Sequence, residues 1–193
     1  MTDTTGQPAR ALTAGLDVPE RLELADHGHH LRRLVPRDAQ QLHDAVVASF
    51  AEIHPWMPWC TDPVDIADQR EFLERGQVNW GGAVAFNYGV FDAGDRLDGS
   101  ISLMDRIGPG GLEIGYWLRT DVTGRGLMTA AAQALTELAF GLPGVARVEI
   151  HCDAANTRSA AVPRRLGFRL VREVAREITA PGESGTEQHW ITP

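Results

Sequence analysis

The hydrophobic positions along the chain repeat with two different periods, one of about 3.6 residues and one of two. The longer period predicts four helices, and the strict alternation predicts about seven short strands. In order, the elements are a strand, two helices, three strands, a helix, a strand, a helix and two final strands. This order predicts one α/β domain in which helices flank a mixed sheet.

The clearest boundaries lie in the second half of the chain. The pattern predicts a strand over residues 111–118, a helix over about 127–140, a strand over 147–152 and a helix over 156–166. The first 19 residues follow neither period, and they lack the basic and then apolar pattern of a signal peptide. We therefore expect a flexible leader over residues 1–19 and a single domain over 20–193.

Composition and charge narrow the class of protein. The 193 residues are 43% hydrophobic, and no stretch reaches the roughly 18 apolar residues of a membrane span. The net charge of -8 argues against a general nucleic-acid binder. All 18 basic residues are arginine, and half of them lie in residues 119–176. Two cysteines without metal-type spacing or a disulfide framework indicate a reducing, cytoplasmic setting.

A glycine-rich junction, DVTGRGLM, joins the strand over 111–118 to the next helix. A helix N-terminus attracts anions, and glycine lets a phosphate approach the backbone. A Walker loop is excluded because Leu127 and Met128 follow the last glycine, and a dinucleotide fingerprint is weak because Thr129 replaces its third glycine. A plain connecting turn and the pyrophosphate loop of an acyl-coenzyme A transferase remain as alternatives.

Two longer segments, EIGYWLRTDVTGRGLMTAAAQAL and DAANTRSAAVPRRLGF, extend this junction. With LRRLVPRDAQQL and HPWMPW, they resemble the GNAT superfamily of N-acetyltransferases, in particular the RimJ/RimL type. The resemblance covers residues 20–192. It implies the GNAT fold, a mixed and mostly antiparallel sheet of about seven strands flanked by about four helices. It also implies acetyl-CoA as the cofactor and transfer of its acetyl group to a primary amine, by direct attack on the thioester.

The same resemblance assigns coenzyme A to the junction and its neighbours. Backbone N–H groups of residues 124–129 would wrap the pyrophosphate, two arginines would meet phosphate charge, and Leu118 and Asn156 would contact the pantetheine arm. The expected cofactor-binding residues are Leu118, Arg119, Gly124, Arg125, Gly126, Leu127, Met128, Thr129 and Asn156. Thr123 stands where the family has Gln or Arg, which removes one side-chain contact.

The catalytic residues that the sequence predicts are Glu113 as the base and Ser159 as the acid. Glu113 lies on the strand that leads to the junction, next to the expected thioester, and alternation puts it on the same face as Gly115 and Trp117. A strand-edge carboxylate in solvent or in a salt bridge would fit the same pattern. Glu173 is a second candidate for the base. Ser159 matches the serine of the family's Asn-x-x-Ser motif, but Asn156 and Ser159 would also suit a plain helix start. Pro163 should kink this helix, because it cannot donate to the Ser159 carbonyl.

For the acceptor site, the irregular segment HPWMPW offers His54, Trp56 and Trp59. With the acidic first half of the chain, these residues would suit a cationic amine, either a protein N-terminus or a small molecule. We expect no metal, because a histidine cluster in a turn, DHGHH, is usually solvated and HCD fits the end of a strand better than a ligand set. A nucleic acid or a membrane is not expected as a partner, and a homodimer stays open. The alternative function is a non-catalytic coenzyme A-binding module for sensing or assembly with the same fold.

Overall fold

The structure, a computed structural model, describes residues 15–192. In these residues, eight strands form one sheet: β1 (Arg21–Leu24), β2 (His29–Arg33), β3 (Ala85–Asp92), β4 (Leu97–Met104), β5 (Gly111–Leu118), β6 (Arg147–Asp153), β7 (Arg169–Ala175) and β8 (Thr186–Ile191). The α-helices are α1 (Ala39–Ala48), α2 (Phe50–Ile53), α3 (Ile66–Gly81), α4 (Leu127–Phe140) and α5 (Thr157–Arg165). Short 3-10 helices cover Ala25–His27, Pro36–Asp38 and Thr120–Val122.

The strands follow the order β1-β2-β3-β4-β5-β6-β8-β7 across the sheet. All neighbours in the described sheet are antiparallel except β5 and β6, which run parallel. Their pairing covers three residues of each strand and ends at Glu113 and Glu149. Beyond these residues β5 stays paired with β4, and β6 stays paired with β8. The two parallel strands therefore separate and leave a gap in the middle of the sheet.

Helices cover both faces of the sheet. Helices α1 and α3 pack on β4 and β3, and we call this side the α1/α3 face. Helices α4 and α5 pack on β5 and β6, on the α4/α5 face. Helix α4 buries Leu127, Ala131, Leu135 and Ala139, spaced four residues apart, so one apolar stripe faces the sheet. This stripe contacts Leu112 and Ile114 of β5 in the largest core cluster.

The predicted fold is confirmed, with two additional elements. Strand β1 and the single turn of α2 were absent from the prediction, because four residues are too few to establish a period. Part of the expected leader also packs on the domain: Val18 is buried, and Leu16 contacts the core. The rest of that segment, residues 1–14, lies outside the described residues. Of the helices in residues 15–192, none combines the length and hydropathy that a membrane span needs.

Candidate active site

The glycine junction forms an open loop at the N-terminus of α4. Gly124 and Gly126 have φ angles of +78° and +79°, a region that side chains with a Cβ rarely adopt. Within residues 15–192, no group accepts a hydrogen bond from the N–H of Gly124, Arg125 or Gly126. The first N–H groups of α4 are also without intrahelical partners. The loop therefore presents a row of free donors at the positive end of a 14-residue helix, which suits a phosphate.

Few of the side chains around the loop are placed to contact a ligand. Leu127 and Met128 are buried in the core, so they offer only their backbone to a ligand. The Arg119 Nε lies 3.1 Å from Asp121 Oδ1, which turns this guanidinium away from the open loop. Arg125 is exposed and donates to the Asp121 carbonyl at 3.2 Å. Arg125 is thus the predicted arginine that a phosphate could still attract.

His27 is a neighbour of the loop that the sequence did not point to. A Cβ placed on Gly126 would lie 3.5 Å from His27 Cε1. His27 belongs to the cluster DHGHH, whose other two histidines are directed elsewhere: His29 Nε2 contacts Asp98 at 3.0 Å, and His30 stacks on Phe91. The three histidines therefore do not converge on one point, because they occupy a 3-10 turn and the two sides of a strand.

The gap between β5 and β6 opens next to Ser159 at the start of α5. Asn156 caps this helix, since its Oδ1 accepts a hydrogen bond from the Ser159 N–H at 3.0 Å. The Ser159 hydroxyl donates to Tyr116 Oη at 3.2 Å, and Tyr116 Oη donates to the Ser159 carbonyl at 3.0 Å. Tyr116 lies on β5, and the sequence had not suggested it as a functional residue. The predicted acid thus comes with a second hydroxyl.

Pro163 accounts for the unusual bond between Tyr116 and the Ser159 carbonyl. In a regular helix, this carbonyl would accept from the N–H four residues later, but Pro163 has no N–H. The Tyr116 hydroxyl takes that place, and α5 continues through Pro163 to Arg165. Pro163 leaves the Ser159 carbonyl without its helical donor, and Tyr116 of β5 supplies a hydroxyl donor instead. Proline therefore anchors Ser159 to β5 through a hydrogen bond from outside the helix.

Cys152 is the remaining reactive side-chain type on this side of the gap. It points to the α4/α5 face, and it is 9% exposed. Burial, opposed in part by a hydrogen bond to Ser159, raises the pKa of the Cys152 thiol to about 11. A thiol with this pKa stays protonated at neutral pH and is a poor nucleophile. The reaction is therefore expected to involve no covalent cysteine intermediate.

On the opposite face of the sheet, the α1/α3 face, Glu113 is the last residue of β5 that pairs with β6. It is 5% exposed, and Arg106 holds both of its oxygens, with Nε 2.8 Å from Oε2 and a second contact from Nη2 to Oε1. The hydrogen bond to Glu113 raises the pKa of the Arg106 guanidinium. Glu113 thus lies next to the gap as one half of a two-point ion pair, which is the salt-bridge alternative that the sequence left open.

His151 follows on β6, two residues beyond the last parallel pair. Its Nε2 lies 2.8 Å from Glu149 Oε2, and its Nδ1 lies 3.5 Å from Glu113 Oε2. Its ring is 3.7 Å from the His189 ring of β8, measured between centroids. The sequence analysis had set His151 aside as the end of a strand. No sequence signal marked it, because its partners come from three strands that only the fold brings together.

Glu149 and His189 complete this row of polar groups beneath the cavity. Hydrogen bonds from His151 and Arg147 outweigh the effect of burial and lower the pKa of Glu149. Burial lowers the pKa of His189, and the charges of His151 and Arg172 act in the same direction. Three of these residues, Glu149, His151 and His189, have potential metal-ligand atoms within 4.8 Å of one another. We assign no metal to them, because two positively charged arginines already bond the cluster, Arg147 at Glu149 Oε1 and Arg172 at His189 Nδ1.

A cavity of about 720 Å³ lies on the α1/α3 face above this row. Its lining includes Trp56, Trp59, Glu113, His151 and Ser159, so it connects the predicted acceptor segment to the gap in the sheet. Two predicted residues lie elsewhere. His54 stacks on Phe50 and bonds the Cys60 carbonyl, so it stabilises the loop rather than lining the cavity. Glu173 is exposed on β7, where Gln188 bonds it.

Comparison with known proteins identifies the class that this geometry defines. Residues 30–169 match the acetyltransferase (GNAT) domain family, and the chain belongs to it. A Bacillus subtilis (strain 168) protein, YdaF, which carries the provisional name ribosomal N-acetyltransferase, is 32% identical over 144 residues, 72% of this chain and 76% of YdaF. The protein is therefore an acetyl-CoA-dependent N-acetyltransferase of this family.

Solved structures agree with this fold. The ribosomal-protein-S5-alanine acetyltransferase from Vibrio fischeri superimposes with a TM-score of 0.79 at 19% identity, covering 89% of this chain and 95% of that one. RimL, a ribosomal L7/L12 alpha-N-protein acetyltransferase solved with coenzyme A, gives 0.78 at 23% identity, covering 91% and 96%. At these identities, the likeness extends to the fold alone.

Proposed function

We propose that the protein transfers an acetyl group from acetyl-CoA to a primary amine through the gap between β5 and β6. The observation that carries this proposal is the position of the gap between two different environments. On the α4/α5 face lie the free N–H groups of the loop and the hydroxyls of Ser159 and Tyr116. On the α1/α3 face lies an acidic cavity with Glu113 and His151 at its floor. The thioester would sit in the gap, and the amine would reach it from the cavity.

The loop after β5 would hold the pyrophosphate of coenzyme A. Its free donors run from Gly124 into the first turn of α4, and Arg125 is near enough to add charge. Asn156 and Leu118 flank the path from this loop to the gap, so they would contact the pantetheine arm. Thr129, in the first turn of α4, would add a hydroxyl. Arg119 would support the loop through Asp121 rather than touch phosphate.

Ser159 would protonate the leaving thiolate, with Tyr116 as its neighbour. The Ser159 hydroxyl now donates to Tyr116 Oη, and it can turn that donor toward a thiolate that forms in the gap. Burial raises the pKa of Tyr116, so the phenol stays neutral and can in turn replace the serine proton. Attack on the thioester carbonyl forms the C–N bond, breaks the C–S bond and leaves the free coenzyme A thiol.

The cavity favours an acceptor with positive charge. Seven carboxylates and three arginines line it, so its net charge is negative. An α-amino group loses its proton at a cost of about 1 kcal/mol at pH 7, against about 4–5 kcal/mol for a lysine side chain. We infer a protein N-terminus or a small-molecule amine as the acceptor, in the cytoplasm and without nucleic acid or membrane as a partner. Trp56 and Trp59 would form the apolar wall of its site.

A thiol-release assay tests the proposal. Purified protein is mixed with acetyl-CoA and a panel of amines: peptides with free or blocked N-termini, cationic small amines and anionic amines. We expect thiol release with free amines, a preference for cationic ones, and a loss of activity in Ser159→Ala. Thr136→Ala is the control, because the Thr136 hydroxyl donates to the Ala132 carbonyl within α4 and the residue does not line the cavity. Binding of coenzyme A without thiol release from any amine would count against the enzyme and for a binding module.

A further inference from the structure

We propose that His151 is the base that removes the proton from the attacking amine, and that Glu149 orients it. This inference deepens the proposed function, on which it rests, by assigning the proton acceptor. Glu113 is the residue that the sequence favours for this role. The contacts around the gap favour the imidazole instead, for reasons of charge, position and tautomer.

The first reason is that an arginine holds each of the three carboxylates around His151 and His189. Arg106 binds Glu113, Arg147 binds Glu149 at 2.8 Å, and Arg176 binds Glu187. A carboxylate in such a pair is favoured in its charged form and gains little from accepting a proton. Imidazole is the side-chain type that changes its charge between pH 5 and 8. In the described residues, Arg106 bonds Glu113, Arg147 bonds Glu149 and Arg172 bonds His189, whereas the ion pairs of His151 are with carboxylates.

The second reason is the position of His151 at the gap. The parallel pairing of β5 and β6 ends at Glu113 and Glu149, and His151 is the next residue of β6 on the same face. Its side chain is 11% exposed and lines the cavity, whereas Glu149 lies beneath it. An amine that approaches the gap from the cavity would therefore meet the edge of the imidazole.

The third reason is the tautomer that its neighbours select. Glu149 accepts from Nε2 at 2.8 Å, which leaves the lone pair on Nδ1. Nδ1 faces Glu113 Oε2 at 3.5 Å, a distance beyond a good hydrogen bond. A proton that arrives on Nδ1 would be stabilised by the charge of Glu113. The ring of His189 packs against His151 from β8, and Arg172 of β7 bonds His189 rather than His151.

The reaction then balances as follows. The amine nitrogen forms a bond to the thioester carbon, and its proton moves to His151 Nδ1. The C–S bond breaks, and the thiolate takes the proton of Ser159. The imidazolium gives its proton to water, and the Ser159 oxygen recovers one from water through Tyr116. The products are the amide and coenzyme A, with no other reactant.

Two measurements test the assignment, and the first does not depend on turnover. Nitrogen-15 NMR of the imidazole rings, with His151→Gln to identify the signal, reports the tautomer and the charge in the coenzyme A complex. We expect a neutral ring protonated on Nε2 at pH 8 that gains a second proton as the pH falls. The charged groups that face it are Glu113, Glu149, His189 and Arg106. An imidazolium that persists at pH 8 would overturn the proposal, because it has no lone pair to offer.

The second measurement is the pH profile of kcat/KM with a weakly basic amine that is neutral throughout the range. We expect His151→Gln to lose about 100-fold or more in kcat/KM and to lose the rise of rate with pH. Coenzyme A affinity should be unchanged, and His43→Gln on α1 should match the wild type. A retained pH profile in His151→Gln would refute the base while leaving the enzyme intact. A wild-type protein inactive on every amine would refute the proposed function, and NMR alone would then decide the state of His151.

Discussion

The contribution of the Tyr116–Ser159 carbonyl hydrogen bond to stability should depend on Pro163. Tyr116→Phe removes the hydroxyl and keeps the ring. In the wild-type background, Pro163 cannot supply a replacement donor, so the Ser159 carbonyl loses its hydrogen bond. In the Pro163→Ala background, the new N–H can donate to the same carbonyl within the helix. The same tyrosine substitution should therefore cost less in the second background.

The magnitude follows from the two states of that carbonyl. Leaving a buried acceptor without a partner costs about 1–3 kcal/mol, and a satisfied one loses almost nothing. Because the carbonyl is partly buried, we expect a coupling energy of about 1–2 kcal/mol. Changes in the proline's packing and in the unfolded chain occur in both halves of the cycle, so they cancel. For a domain of this size, the coupling corresponds to about 2–8 °C in Tm.

Urea unfolding of the four proteins, followed by tryptophan fluorescence, measures this coupling. The matched control is Tyr88→Phe in the same two backgrounds, since the Tyr88 hydroxyl donates to the Pro19 carbonyl and does not involve α5. That cycle should show no coupling. If Tyr116→Phe and Pro163→Ala prove additive within about 0.5 kcal/mol, the proline does not determine the role of the tyrosine, and our account of α5 is wrong.

Three further predictions concern the loops around the gap. Gly124→Ala should lower the stability by about 1–2 kcal/mol through its positive φ and weaken coenzyme A binding at least tenfold in a calorimetric titration. The control is Gly144→Ala at the other end of α4, where φ is +82° and the surrounding space is equally open. It should lose a similar amount of stability but keep its affinity for coenzyme A. Gly182→Ala would bring a Cβ to 2.7 Å from the Pro55 oxygen, so it should raise the KM of the acceptor and leave that of acetyl-CoA unchanged. Burial raises the pKa of Asp153, but hydrogen bonds from Ser184, Gly185 and the Ala155 N–H outweigh it, so the pKa is lowered overall. The charged carboxylate therefore stabilises the fold above about pH 4, and this contribution is lost as the pH falls further. Asp153→Asn should make the urea midpoint of unfolding fall less steeply at acid pH.

The sequence was most informative where a local pattern and a chemical requirement coincide. The alternation over 111–118 and the alanine-rich stretch of 127–140 predicted β5 and α4 with their observed bounds. The glycines between them marked a loop that needs positive φ, which the structure has. Each of these features depends only on residues that are close together in the sequence. They can therefore be read without knowing the rest of the fold.

The polar network on the cavity floor could not be predicted in the same way. His151 meets Glu113, 38 positions earlier, across the β5–β6 pair, and it meets His189 across the β6–β8 pair. The partner that occupies Glu113 is Arg106, which precedes β5 and is ordinary in the sequence. Likewise, the kink expected at Pro163 is compensated by a tyrosine 47 positions earlier. Sequence distance hides all three contacts, because the order of the strands creates them.

The alternation of strand side chains also explains how one gap can serve two opposite proton transfers. On β5, Glu113 and Tyr116 are three positions apart, so they project from opposite faces of the sheet. On β6, His151 and Cys152 are adjacent and divide in the same way. In the proposed mechanism, His151 accepts a proton where the amine enters, and the hydroxyls of Tyr116 and Ser159 lie where the thiolate leaves. A carboxylate moved one position along β5, to Ile114, would instead lie in the apolar core beneath α4. The two chemistries are kept apart by the sheet itself, and they meet only where its strands separate.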